Sequence, residues 1–310
     1  MKDFAVKLIL FCLPLVLAGG VLEARMRRAP NSYAFKRGLI ERAGADAKAL
    51  VFGTSHAYYA FDPAQFTRPA LNLANTSQSL EIDAQILAKY LQSFPALEAV
   101  IVNLSYFSFE YRLYGNADDY REYLYRRAFG IAGDGGWASR LDLRDALVSV
   151  AYGPDLIRKI LFEGFGANLE REVSARGWFD SSASHYETAP INAEAGRSRA
   201  AYHTSTMDPA LTEANLAAVE DLARTAQLRG ARVILTQAPA FSTYTEALDP
   251  KAEARFRADV ERLHRSLGLE FRDYLRDPRF QKEDFNNNDH LNSQGAAKFS
   301  QLVNREVLNW

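Results

Sequence analysis

The 310-residue chain has a formal charge of −1, with 48% hydrophobic and 24% charged residues. A near-neutral chain offers no broad basic surface, which excludes nucleic acid as a partner. Its composition is that of a folded chain with ample core, and its one cysteine, Cys12, excludes intrachain disulfides and a cysteine-built metal site.

Lys2 and Lys7 lead into an uncharged apolar run, Leu8 to Leu22. Counted from Phe4 to Leu22, with Lys7 snorkelling to the interface, this segment is just long enough to cross a bilayer. Residues 1–28 are therefore expected to form an uncleaved signal anchor, the alternative being a buried N-terminal core helix. Arg25, Arg27, Arg28, Lys36 and Arg37 follow, and by the positive-inside rule they would keep the body on the cytoplasmic side. Residues 29–48 read as a linker that becomes a first helix around Tyr33–Arg42 and ends near Gly44.

The run 49–52 (Ala-Leu-Val-Phe) is a buried strand, because consecutive apolar residues suit a sheet covered on both faces. Gly53 allows a sharp exit, and Ser55 stands at the end of the turn. Residues 69–74 form a second strand that delivers Asn75 to Ser79 to the same edge. Ile82, Ile86, Tyr90 and Phe94 recur at helical spacing until Pro95. Residues 97–105 form a third strand, ending on Asn103 and Ser105. Strand, helix and strand with short connections predict a parallel α/β sheet whose active edge lies at the strand C-termini.

From about 107 to 209 the pattern changes. Tyrosines and phenylalanines crowd the stretch, interleaved with Arg112, Arg121, Arg126 and Arg127. It reads as a mostly helical insertion, with helix-like segments at 141–151 and 154–162 and loops at 133–136 and 194–198. Such aromatics and arginines can line a carbohydrate or anionic-polymer groove, or simply make a helical cap. His185 and His203 are expected on loops or at the surface. The α/β pattern resumes with a helix at 211–228, a strand at 231–239, a helix at 249–267 carrying a solvated His264, and a short strand at 269–274. The final helix begins near Ser293. Before it stands the run 285–292, in which His290 sits among Asn287, Asn288, Asp289 and Asn292.

A serine after the first strand and a histidine near the C-terminus suit a nucleophile–base pair, although such a serine can equally be a helix N-cap. Asp284, Asn286 and Asn288 imitate the start of a calcium loop. Asp289 stands where that loop needs glycine and Gly295 where it needs glutamate, so no metal is expected. A nucleotide-binding reading fails for want of a Gly-x-Gly-x-x-Gly turn. No cofactor is expected.

Gly53-Thr54-Ser55 and the run Asp289 to Ala296 resemble the nucleophile and histidine blocks of the SGNH (GDSL-like) hydrolases and acyltransferases, from about residue 47 to the end. The closest likeness is to membrane-anchored DltD-like and alginate-acetylation proteins of the cell envelope. The resemblance implies a three-layer α/β/α, flavodoxin-like parallel sheet over 49–310. It also implies acyl-ester chemistry on an envelope glycan or polymer, by O-acyl (acetyl) transfer or ester hydrolysis through an acyl-enzyme on Ser55. His290 would be base and then acid, oriented by Asn287, which stands where the family has aspartate, or by Asp289. Asn75 and Asn103 would contribute to the oxyanion site, or else be a polar turn and a strand-end amide. It further implies an inner-membrane, single-pass protein with a periplasmic body, against the positive-inside rule. The other reading is a catalytically silent accessory that binds an envelope polymer or a membrane-bound O-acyltransferase.

Overall fold

Strand β1 (Ala49–Gly53) is buried along its whole length and is paired with a parallel strand on each side. The structure, a computed structural model, describes residues 2–28, 31–116, 118, 120–131, 147, 173–182 and 190–309. Helix α1 (Lys2–Arg28) precedes α2 (Ser32–Ala43), β1 and α3 (Ser55–Ala60). Then come β2 (Ala70–Asn72), α4 (Leu80–Tyr90), β3 (Ala99–Asn103) and α5 (Tyr120–Phe129). After these follow α6 (Ala193–Ser205), α7 (Thr212–Gln227), β4 (Arg232–Gln237), the short α8 (Ser242–Thr245) and α9 (Pro250–Leu267). Strand β5 (Glu270–Asp273) and α10 (Ser293–Val303) complete the order. The expected segments at 133–136 and 154–162, most of 141–151, and His185 lie outside the described residues.

The five strands are all parallel, in the order β2-β1-β3-β4-β5. This is the flavodoxin-like doubly wound order, whose direction reverses between β1 and β3 and leaves a crevice at their C-terminal ends. Side chains alternate across the sheet as the two-residue strand period requires. Leu50, Phe52, Val100, Val102, Val233 and Leu235 join one core with α2, α4, α7 and α9. Val51, Ile101 and Ile234 join the other with α3 and α10. The α/β class with a parallel sheet is thus as expected, with the ends of β2 to β5 trimmed by one or two residues and β1 running one residue further, to Gly53.

Gly53 makes the crevice possible. Its φ is +131°, and a Cβ there would lie 2.5 Å from the Asn103 carbonyl oxygen. Strand β1 can therefore turn outward beside β3 only at a residue without a side chain. Gly53→Ala is expected to destabilise the fold by about 3 kcal/mol or more, combining backbone strain with a backbone clash. A thermal melt unchanged from wild type would refute that role.

Residues 3–28 form one helix long and apolar enough to cross a membrane, with a mean hydropathy of 2.4 in its best window and none of that window buried. Only its end docks on the body, where Met26 enters the core. A buried core helix is therefore not what the N-terminal segment makes.

Candidate active site

Thr54, not Ser55, caps α3: its side chain accepts the N–H of His56 at 3.3 Å. Ser55 is left to face the crevice as the first residue of the helix, 8% exposed. Its backbone N–H therefore lies outside the intrahelical ladder, at the positive end of the helix.

The loop before α10 brings His290 to it. Phe285 pairs with Leu291, Asn286 N–H donates to the His290 carbonyl at 2.9 Å, and Asn292 caps α10 through the Gly295 N–H. Gly295 is required there because a Cβ would lie 2.1 Å from the Asp284 carbonyl oxygen. Thus tied, His290 Nε2 lies 2.9 Å from Ser55 Oγ. The Tyr59 ring stacks on the imidazole with centroids 4.4 Å apart. Burial pushes the imidazole down to about 3, against the pull of Asp289, so the ring is neutral at ordinary pH.

Asn287 and Asp289 both approach His290 Nδ1. The Asn287 side-chain nitrogen is 3.0 Å from it, and Asp289 Oδ1 is 3.6 Å away. Asp289 is also the hub of a charged cluster. Its Oδ2 accepts from Arg199 Nε at 2.7 Å and from His56 Nε2 at 3.1 Å, with His203 Nε2 at 3.9 Å. Burial opposes its charge, yet the Arg199 guanidinium and the hydrogen bond from His56 hold the carboxyl well below the usual carboxylate range. His56 Nδ1 meets Ser105 Oγ at 2.7 Å, and Tyr244 OH meets His203 Nδ1 at 2.6 Å. Burial holds His203 neutral, its pKa well below that of a free imidazole. Donor atoms of His56, Asp289 and His290 lie within 4.8 Å of one another, a spacing that suits a metal, but the Arg199 guanidinium already occupies Asp289 as its cation.

The expected oxyanion residues sit elsewhere. The Asn75 side chain bonds Ser32 Oγ of α2, and its backbone N–H donates to the Gly53 carbonyl at 3.3 Å, so both groups are engaged away from Ser55. Asn103 pairs in register with Gly53, two residues short of Ser55. Its side-chain oxygen accepts from Thr236, and its buried NH2 finds no acceptor among the described residues. It borders a narrow space behind the turn at Gly53 and Thr54, with Gln78, Ser79 and Asp83.

Asp83 in that space is raised to about 8 by burial, against hydrogen bonds from Gln78 and the Gly53 backbone. A folded-state pKa above the unfolded 3.8 gives stability that is complete below about pH 4 and lost as pH rises through 8. Asp83→Asn keeps the acceptor for Gln78 and removes the titration. Its melting temperature is expected to exceed that of wild type by a margin that widens from pH 5 to pH 8. A constant margin would refute this.

Two clefts reach the pair. One, of about 90 Å3, opens on Ser55 between Thr76, Ser77, Tyr111, Tyr202 and Thr206. The other reaches Asn287, Asp289 and His290 from the side of Ala195 and Ser198, and Arg199 of α6 lines both. Sequence reasoning placed 194–198 in a loop and His203 at the surface. Both lie instead in α6, and His203 is buried against the site. This helix carries no apolar stripe to announce it. It docks through Gly196, where a Cβ would lie 2.2 Å from the Thr243 carbonyl oxygen. Arg199 and Tyr244 carried no sequence signal either, whereas Ser105 stands at the end of the expected third strand and His56 adjoins Ser55 in the chain.

Compared with known proteins, the chain matches no family model. It matches no curated protein either. Among solved structures it is similar to a chain from Bacteroides fragilis provisionally described as an acylhydrolase, at 12% identity and a TM-score of 0.39, over 89% of this chain and 95% of that one.

Proposed function

We propose that the protein is a serine-dependent acyl-ester enzyme of the SGNH type. The 2.9 Å contact between Ser55 Oγ and His290 Nε2, at the C-terminal edge of a doubly wound sheet, carries the reading. Ser55 Oγ attacks the ester carbonyl and passes its proton to His290 Nε2. The oxyanion is met by the Ser55 N–H at the start of α3. His290 then protonates the leaving alcohol, and a glycan hydroxyl or water takes the acyl group from Ser55 by the reverse path. A cleft of about 90 Å3 beside Ser55 suits a short acyl group such as acetyl. Transfer to an envelope glycan is preferred over hydrolysis because α1 would hold the enzyme at a membrane, with its body on the periplasmic side. Protease added outside spheroplasts should then digest the body, and full protection would place it in the cytoplasm.

The test is labelling of the full chain in detergent with a fluorophosphonate, beside hydrolysis of an aryl acetate. Labelling lost in Ser55→Ala and reduced in His290→Ala supports the proposal; a folded protein that neither labels nor hydrolyses ends it. The second reading, a silent accessory that binds an envelope polymer or a membrane-bound acyltransferase, is favoured by one observation: an amide, not a carboxylate, lies nearest His290 Nδ1.

A further inference from the structure

The orientation of that amide is determined by its other contacts. Asn287 Oδ1 accepts the backbone N–H groups of Asp289 at 3.0 Å and of His290 at 2.9 Å. Backbone N–H groups only donate, so the oxygen must face them and the NH2 must face His290 Nδ1. An N–H directed at Nδ1 needs a lone pair there. A neutral ring with a bare Nδ1 carries its proton on Nε2, the atom 2.9 Å from Ser55 Oγ. In that tautomer His290 donates to the serine, whereas a general base must accept from it.

The partner that would hold the other tautomer is already in place. Asp289 Oδ1 lies 3.6 Å from the same Nδ1, while Arg199 and His56 bind its other oxygen. We infer that Asn287 and Asp289 are alternative positioning residues for His290: Asn287 holds a resting, Nε2-protonated ring, and Asp289 Oδ1 holds the active, Nδ1-protonated one. The inference rests on Ser55 and His290 being nucleophile and base. The exchange balances: Nδ1 takes a proton from water in the cleft on its side, Nε2 releases one to water beside Ser55, and the ring stays neutral. Arg199 lines both clefts and grips Asp289, so a substrate group that engages the guanidinium bears directly on the carboxylate.

The tautomer can be read without turnover. Long-range 1H–15N correlation spectra of the 15N-histidine-labelled full chain in detergent micelles at pH 7 distinguish Nδ1–H from Nε2–H. The His290 signals are assigned by their loss in His290→Gln. Nε2–H is expected in the substrate-free wild type. Asn287→Asp puts a carboxylate at Nδ1 and should shift the ring to Nδ1–H, raising kcat about tenfold or more with KM little changed. An Nδ1–H ring in the wild type overturns the inference, as does an unaltered or lower kcat in a folded Asn287→Asp. Absence of phosphonate labelling at Ser55 would instead sink the enzymatic reading, and the spectrum distinguishes the two failures.

Discussion

Ser55→Ala should lower aryl acetate hydrolysis by about 10⁴-fold or more, and adding His290→Ala to it should cost almost nothing further. The contact between Oγ and Nε2 is the reason. A base without its nucleophile has no proton to take, and a nucleophile without its base is an ordinary alcohol, so the two act as a unit. Residues that merely line the cleft would instead give roughly additive losses. The pair also has a pH signature. Burial brings His290 to about 3, so the ring is unprotonated well below pH 6. The acid limb of kcat/KM should therefore lie near pH 3, and a limb near 6.5 would mean that the ring is solvated. The same depression takes stability away as pH falls from 6.5 towards 3, because the unfolded chain then binds the proton that the folded one refuses. The profile must be measured where the protein is still folded.

What was legible in the sequence follows from what local pattern encodes. Strands β1, β3 and β4 are apolar runs buried on both faces, and α4, α7 and α9 carry an apolar stripe, so fold class and chain order followed from periodicity. Ser55 and His290 were legible because each stands at a junction between elements, where side chains reach a shared edge. The surroundings of the pair were not. Asn75 reads as a donor in a polar turn, but only the folded chain shows Ser32, 43 residues away, claiming its side chain. Arg199 and His203 lie on a helix without an apolar face, and nothing local ties that helix to Asp289. Apart from the adjacent His290, the contacts of Asp289 with Arg199 and His56 are long-range, and no window of sequence contains them.

Asp289→Asn should cost both rate and stability, in different amounts. The carboxylate is buried and gathers Arg199, His56 and the edge of His290 around one charge. Removing that charge leaves a guanidinium without its counter-ion. Because the Arg199 side chain is 34% exposed, water recovers part of the loss, and the expected destabilisation is about 2 kcal/mol rather than the larger cost of a fully buried pair. The rate should fall further, by about 10²- to 10⁴-fold, since no carboxylate then remains to hold a proton on Nδ1 or to stabilise the imidazolium. The double variant Asn287→Asp with Asp289→Asn separates the two effects. It restores a carboxylate at Nδ1 but not at Arg199, so kcat should recover while the melting temperature stays low. An Asp289→Asn enzyme of wild-type rate but lowered melting temperature would make Asp289 a structural anchor for α6 and no part of the chemistry.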